Sequence, residues 1–416
     1  MNNSYDLIVV GGGASGLMAA GRAAERGLKV LLLEKNKRVG EKLRITGGGR
    51  CNITNAEEDE HLLLKVFSKA EPFLYSLFAQ FGVKDTFKFF ESRGLPLIVE
   101  ARKRAFPKTE RAEDVARVLE AYIKKGGVDV RTNSPVTRVI AEDGKIKSLH
   151  CLTEQYSAKD YLFATGTVSH AETGSTGDGF NWLELLGHKV VKPTPMIVPL
   201  AIEEKWAKDL MGISLSNAKI TFYVDGKKRF NLLGKILFTH FGLSGPLILN
   251  NAYKVAALLE DGVVTAYIDS YPGADLGELE KKVVAIFDAN KNKELKNIFF
   301  ELVPDGIHKG VLTLISQHMD ISTKVHSIKK EDRKFMVHLL KALPLTIVGL
   351  MGFDRAVVAD GGVPLAEIDM KTMRSKKVPN LLVTGDLLHI NRPSGGYSLQ
   401  LCWSTGYVAG SHVGML

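Results

Sequence analysis

Gly11, Gly13 and Gly16 stand at the spacing G-x-G-x-x-G, and Glu34 closes the apolar run that follows them. These residue types in this order suit a dinucleotide. Gly11 permits a tight turn. Gly13 leaves the backbone bare, so a pyrophosphate can approach it. Gly16 lets a helix pack close on a strand. Glu34 can accept hydrogen bonds from a ribose diol, which favours FAD or NAD over NADP. Arg50, Cys51 and Asn52 follow three glycines, Gly47–Gly49. A guanidinium there suits phosphate or carboxylate recognition. Cys51 is either a small packing residue or a redox thiol. His240 suits proton delivery, because imidazole titrates near neutrality. His389, Arg392 and Tyr397 are candidates for substrate contact, since pockets place a few polar groups among apolar ones.

The elements around these residues must hold them in register. Asp6–Val10 is a short apolar run rich in β-branched residues and reads as a strand. A helical pattern runs from Ser15 to about Arg26, stops at Gly27, and gives way to a second strand over Lys29–Leu33. The helix N-terminus offers free N–H groups and partial positive charge to phosphates. Residues 57–92 carry apolar side chains at helical spacing. A basic turn then leads into a helix with Thr109 as its expected N-cap and Glu110 and Glu113 in its first turn. Short strands over 128–130 and 136–140, with 145–152 and 155–164, form a meander ending at Ala164-Thr165-Gly166.

Prolines 193, 195 and 199 mark a boundary, and alternating strands such as Lys219–Val224 and Lys235–Phe238 follow. Residues 274–343 read as largely helical, closed by Pro344. The nucleotide-binding pattern then resumes. The expected organisation is a discontinuous domain, 1–192 and 345–416, interrupted by an inserted domain over 193–344. The insertion divides into strands over about 193–273 and helices over about 274–344.

The chain has 416 residues and a formal net charge of +9, from 55 basic and 46 acidic residues spread along its length. A solvated surface is the simplest reading of that excess, and attraction to nucleic acid stays open. The three cysteines are far apart, with no C-x-x-C and no metal-ligand spacing. Sparse cysteine, no leader-like start and no apolar run near the ~20 residues of a membrane span give an expectation of a cytoplasmic protein.

The C-terminal stretch discriminates between dinucleotides. Leu381–Thr384 is a buried-type strand with Gly385-Asp386 at its carboxyl end, where ligands of open α/β sheets bind. Asp386 is placed to bond a ribityl hydroxyl. Gly395-Gly396-Tyr397 opens a helix whose N-terminus would favour an anionic reduced flavin. Together with the N-terminal fingerprint this favours FAD over NAD. No second G-x-G-x-x-G follows a strand, so NAD(P)H, if it is the donor, docks transiently.

The stretches VVGGGASGLMAA, VGEKLRITGGGRCNITN, AFPKTERAEDV, ATGTVSHAETGSTGDGF, LFTHFGLSGP, ADGGVPLAEIDMKTMRSK and GDLLHINRPSGGYSLQ span nearly the whole chain. In order and content they resemble the BaiN-type bacterial flavoproteins, a family with aminoacetone-oxidase-like members. The chain departs from the family pattern at Thr167, Asp386, His389, Asn391 and Ser398. The resemblance implies a two-dinucleotide-binding-domain FAD fold of the α/β class with an inserted β-barrel and helical appendage. It places His240 over the flavin and the 47–52 loop along the pyrophosphate and isoalloxazine. It extends the cofactor-binding set to Ala14, Ser15, Lys35, Lys42, Gly48 and Gly49, to Val136, Ala164, Thr165 and Gly166, and to Gly385, Gly396, Tyr397 and Ser398. The expected activity is FAD-dependent hydride transfer on a small molecule. The alternatives are an FAD-dependent nucleic-acid (tRNA) modifier and a non-catalytic FAD-binding protein. Oligomeric state is not legible.

Overall fold

The first strand, Tyr5–Val10, lies inside a seven-stranded sheet, and Leu7, Ile8 and Val9 are fully buried in it. Burial of each such side chain contributes about 1.5–3 kcal/mol. The computed structural model describes residues 5–304, 306–356 and 358–415. Contacts divide the chain into two compact units, Met1–Pro195 with Val357–Leu416, and Met196–Ala356.

In the first unit the strand order is Ile368–Asp369, Arg374–Ser375, Leu381–Val383, Ala158–Phe163, Tyr5–Val10, Val30–Leu33 and Asp129–Arg131. The last five run parallel, and the hairpin at the other edge is antiparallel. The carboxyl ends of the parallel strands therefore share one rim, where Gly11, Glu34, Ala164 and Thr384 emerge. The first helix, Ala14–Glu25, packs against the last helix, Tyr397–His412. Two glycines one turn apart permit this. A Cβ on Gly406 would lie 2.4 Å from the Ser15 carbonyl oxygen, and one on Gly410 2.5 Å from that of Ala19.

The helix expected after the basic turn begins at Ala112, not near Thr109. Glu110 precedes it in a left-handed conformation with φ 55° and is committed to an ion pair, so Glu113 and Asp114 supply the first-turn charge. Thr109 lies in the turn before it, and Arg111 occupies the cap position without a side-chain bond.

The second unit is a closed barrel ordered Leu200–Ile202, Gly242–Ser244, Lys227–Thr239, Ser214–Val224, Val264–Asp269 and Leu343–Leu350. Helices Leu276–Ala289, His308–Ser316 and Lys330–Lys341 accompany it, the first opened by a reciprocal Asp275–Glu278 capping box. The sixth barrel strand runs through Pro344, beyond the stretch expected to hold the strands. Pro344 is tolerated because its strand pairs only with Val264–Asp269 there; pairing with Leu200–Ile202 begins at Ile347. No helix among the described residues is long and apolar enough to cross a membrane.

Candidate functional site

The glycines at the rim do what their spacing requires. Gly11 has φ +101°, and a Cβ there would sit 2.6 Å from the Ala164 carbonyl oxygen. A Cβ on Gly16 would sit 2.0 Å from the Gly11 carbonyl, so helix and turn touch through backbone alone. Beside Gly13 a Cβ would meet nothing within 4 Å. Gly13 is also the N-cap of the first helix, with no side-chain cap and no acid in the first turn. Its first-turn N–H groups are thus left for an anion.

Glu34 is buried, and Oε2 accepts the Gly12 N–H at 2.7 Å while Oε1 accepts the Asn36 N–H at 2.8 Å. Burial pushes its pKa up, opposed by those two N–H groups and by Lys35. Residues 132–136 run alongside: Ser134 N–H donates to the Glu34 carbonyl, which brings Val136 near the same rim. Lys35 turns away, pairing with Asp178 at 2.7 Å and with Thr176.

Lys42 is the cation left over. Its ammonium reaches only the Ser169 hydroxyl, at 3.3 Å, and it forms no ion pair among the described residues. Burial pushes its pKa down, while the carboxylates of Asp386 and Glu172 oppose the shift. A half-buried ammonium without a counter-ion is unfavourable unless an anion is bound. The hydroxyl of Thr165, at the end of the adjacent strand, is buried with no partner. Bare Gly13, uncapped helix, unpaired Lys42 and orphan Thr165 together fit a dinucleotide's phosphates and ribityl chain.

The 46–55 loop carries a run of left-handed residues, with φ 58°, 67° and 87° at Gly47, Gly48 and Gly49 and 60° at Cys51. It docks on the start of the last helix. Asn52, with its amide oxygen toward the helix, accepts the Gly396 N–H at 2.9 Å and donates to Thr54 and Ala105 carbonyls. Asn55 donates to the Gly395 carbonyl at 3.2 Å. Thr54 and Thr86 both donate to Gln400 Oε1, at 2.6 and 3.0 Å, and Gln400 Nε2 donates to Ser404. Every member of this buried network is satisfied, which fixes the loop rigidly. Neither Gln400 nor Thr54 was a sequence candidate. Their signal is polar residues inside otherwise apolar elements, which takes on meaning only once the two segments are seen together.

The last helix is the second uncapped N-terminus, with Gly396 at φ +100° as N-cap and no acid in its first turn. Tyr397 opens it, half-buried against the edge of Phe67, and burial raises its hydroxyl pKa.

Several expected roles change. Arg50 bridges Glu100 and Glu110 and lies over the Phe106 ring at 4.3 Å, so its charge is taken up by carboxylates rather than offered to a phosphate. Cys51 is fully buried and burial pushes its thiol up to about 12, leaving no thiolate for redox chemistry near neutrality. Cys402 is likewise buried and raised, and neither cysteine is disulfide-bonded. Asp386, expected on a ribityl hydroxyl, is engaged by the buried Arg392, which also donates to Ser398 at 2.8 Å. His389 faces Asp360, Nε2 to Oδ1 3.4 Å, and Asn391 donates to the other oxygen of Asp360. Asp360 escaped the sequence reading, as nothing local marks it. His240 lies exposed in the 196–356 unit, edge-on to Phe241.

A parallel sheet with two uncapped helix N-termini at one rim, a buried ribose-type acid and an inserted barrel defines an FAD-dependent oxidoreductase. The family model described as HI0933-like protein Rossmann domain matches residues 5–412, and the chain belongs to that family. Among curated relatives it is similar to a ribosomal RNA dihydrouridine synthase of Haemophilus influenzae, 30% identical over 98% of each chain. It is also similar to a 3-dehydro-bile acid delta(4,6)-reductase of Clostridium scindens, 26% identical over 97% of each. Among solved structures, 3-ketosteroid delta1-dehydrogenase from Sterolibacterium denitrificans shares the fold with TM-score 0.55 at 14% identity, covering 99% of both chains.

Proposed function

We propose that the protein reduces a carbon–carbon double bond conjugated to a carbonyl, and that its substrate is a uridine within ribosomal RNA. End-to-end similarity to two enzymes whose names describe saturation of such a bond carries the reaction class. The 30% identity to an RNA enzyme, with a net charge of +9, favours RNA over the small molecule expected from sequence.

Bound FAD supplies the hydride. The chain's own residues do the rest. The first helix, Lys42 and Thr165 hold the phosphates and ribityl chain, and Glu34 the ribose. The last helix, uncapped at Gly396, would offer its free N–H groups and partial positive charge to the cofactor. A proton must reach the carbon next to the carbonyl, and Tyr397 and His389 are the groups able to deliver it within this unit. NAD(P)H serves as a transient donor, since no second dinucleotide fingerprint is present.

The test is anaerobic incubation of the FAD-loaded protein with NADPH or NADH and unmodified ribosomal RNA. Nucleoside mass spectrometry should find uridine heavier by two hydrogens. A conjugated steroid enone run in parallel tests the second reading, which the bile-acid reductase similarity supports. Saturation of the enone with no change in RNA would overturn the RNA assignment.

A further inference from the structure

The barrel strand Ser214–Val224 buries Ala218, Ile220, Phe222 and Val224, each at most 2% exposed. Lys219, Thr221 and Tyr223 therefore face outward. The register extends that face over both neighbours. Tyr223 lies opposite Lys228 on one side and Thr265 on the other, and Thr221 lies opposite Tyr267. Tyr223 and Tyr267 meet edge to face with ring centroids 5.4 Å apart, and Tyr267 stays 38% exposed.

The charges around this pair are one-sided. Asp269 is bound by Lys341 at 2.7 Å, Asp261 holds Arg229 at 3.2 Å, and Asp225 accepts the Val263 N–H. Lys219 and Lys228, the lysines of this face, form no ion pair among the described residues. Exposed rings interleaved with free ammonium groups on a sheet face are the means by which proteins stack bases and hold phosphates. An apolar partner would leave those cations uncompensated; a nucleic acid neutralises them.

We infer that the outer barrel face around Tyr223 and Tyr267 is the surface on which the RNA docks, the rings stacking bases and Lys219 and Lys228 holding the backbone. The inference rests on the RNA reading of the active site and adds where the RNA is held.

The test measures binding of the FAD-loaded full chain to deproteinised bacterial ribosomal RNA fragments across a salt series, with duplex DNA of equal length as comparison. K219E/K228E should weaken binding more than tenfold and make the log–log salt slope shallower by about 1.4, as expected for roughly two lost phosphate contacts. Y223A/Y267A should weaken it about tenfold or more, and Y223F/Y267F should restore it, because the stacking ring is kept. Thr265→Lys, beside Tyr223, should tighten it severalfold, a gain that misfolding cannot mimic. Wild-type affinity in all these variants overturns the surface and leaves the RNA reading standing. Equal affinity for duplex DNA also overturns it, as polyanion attraction alone. No RNA binding by the unaltered protein overturns both.

Discussion

The side-chain amide of Asn55 donates to the carbonyl of Gly395, 340 positions along the chain, at 3.2 Å. With Asn52 on the Gly396 N–H, this joins the two glycine-rich motifs of the flavin half into one backbone assembly. Gly396 is the point of closest approach: a Cβ there would lie 2.3 Å from the Thr54 carbonyl carbon, at φ +100°. Gly396→Ala should therefore yield protein that purifies without its yellow colour. The left-handed conformation alone costs about 1–2 kcal/mol, before the clash. The ratio of flavin to protein absorbance checks this, and full retention of FAD would refute it.

The Thr54–Gln400 pair should behave as one unit. Thr54→Val or Gln400→Leu alone leaves buried polar partners unsatisfied and should cost about 1–3 kcal/mol each. The double variant should cost less than the sum, with a coupling of about 0.5–3 kcal/mol in a denaturation cycle. Strict additivity would mean that the network does not bind the loop to the helix.

Lys42 should have opposite effects on the two forms of the protein. Its half-buried ammonium has no counter-ion among the described residues, and desolvation depresses its pKa. Lys42→Met should leave the FAD-free protein as stable as wild type or more so, yet weaken FAD binding by about tenfold or more. Melting temperatures with and without FAD, and flavin titration by fluorescence quenching, separate the two effects. Unchanged FAD affinity would remove Lys42 from the phosphate site.

Acid should loosen the sheet edge through His188. The imidazole is buried, with Nδ1 2.7 Å from Glu367 and Nε2 2.8 Å from Ser375, whose hydroxyl already accepts two backbone N–H groups. Burial lowers its pKa, Lys377 adds to that, and Glu367 opposes it. The unfolded chain therefore binds this proton more readily. The stabilisation is present above the ordinary histidine pKa of about 6.5 and is lost as pH falls from there through the depressed folded value. Urea denaturation at pH 7.5 and 5.5 should show a drop in the wild type that is smaller in His188→Gln.

Cys51 and Cys402 should be inert in the native protein. Cys51 is raised to about 12 by burial, and Cys402 is raised for the same reason. Neither should react with iodoacetamide at pH 8 until denaturant is added, and Cys51→Ala should keep its activity. Rapid native alkylation of Cys51 would restore the redox role.

The first helix, the strands flanking it and the start of the last helix were legible because each is set by local pattern: apolar runs, glycines at turns, an acid at a strand end. The site's inner arrangement was not. Arg50 reads as an anion ligand until Glu100 and Glu110, from other segments, are seen to neutralise it. Asp386 reads as free until Arg392 folds back on it. The sixth barrel strand was missed because Pro344 signals a break, a signal that fails where the strand has one neighbour only.

The close seating of the last helix on the first has a consequence for synthesis. Gly406 and Gly410 meet the carbonyls of Ser15 and Ala19, so one face of the opening helix stays uncovered until the last helix is made, while its Gly21 side rests on Tyr122. The inserted unit, one uninterrupted stretch from 196 to 356, leaves the ribosome whole and can fold while the flavin half still waits for its own closing piece. The cofactor site thus depends on a segment made after the inserted unit, and a chain stopped before Tyr397 would lack the helix that closes it.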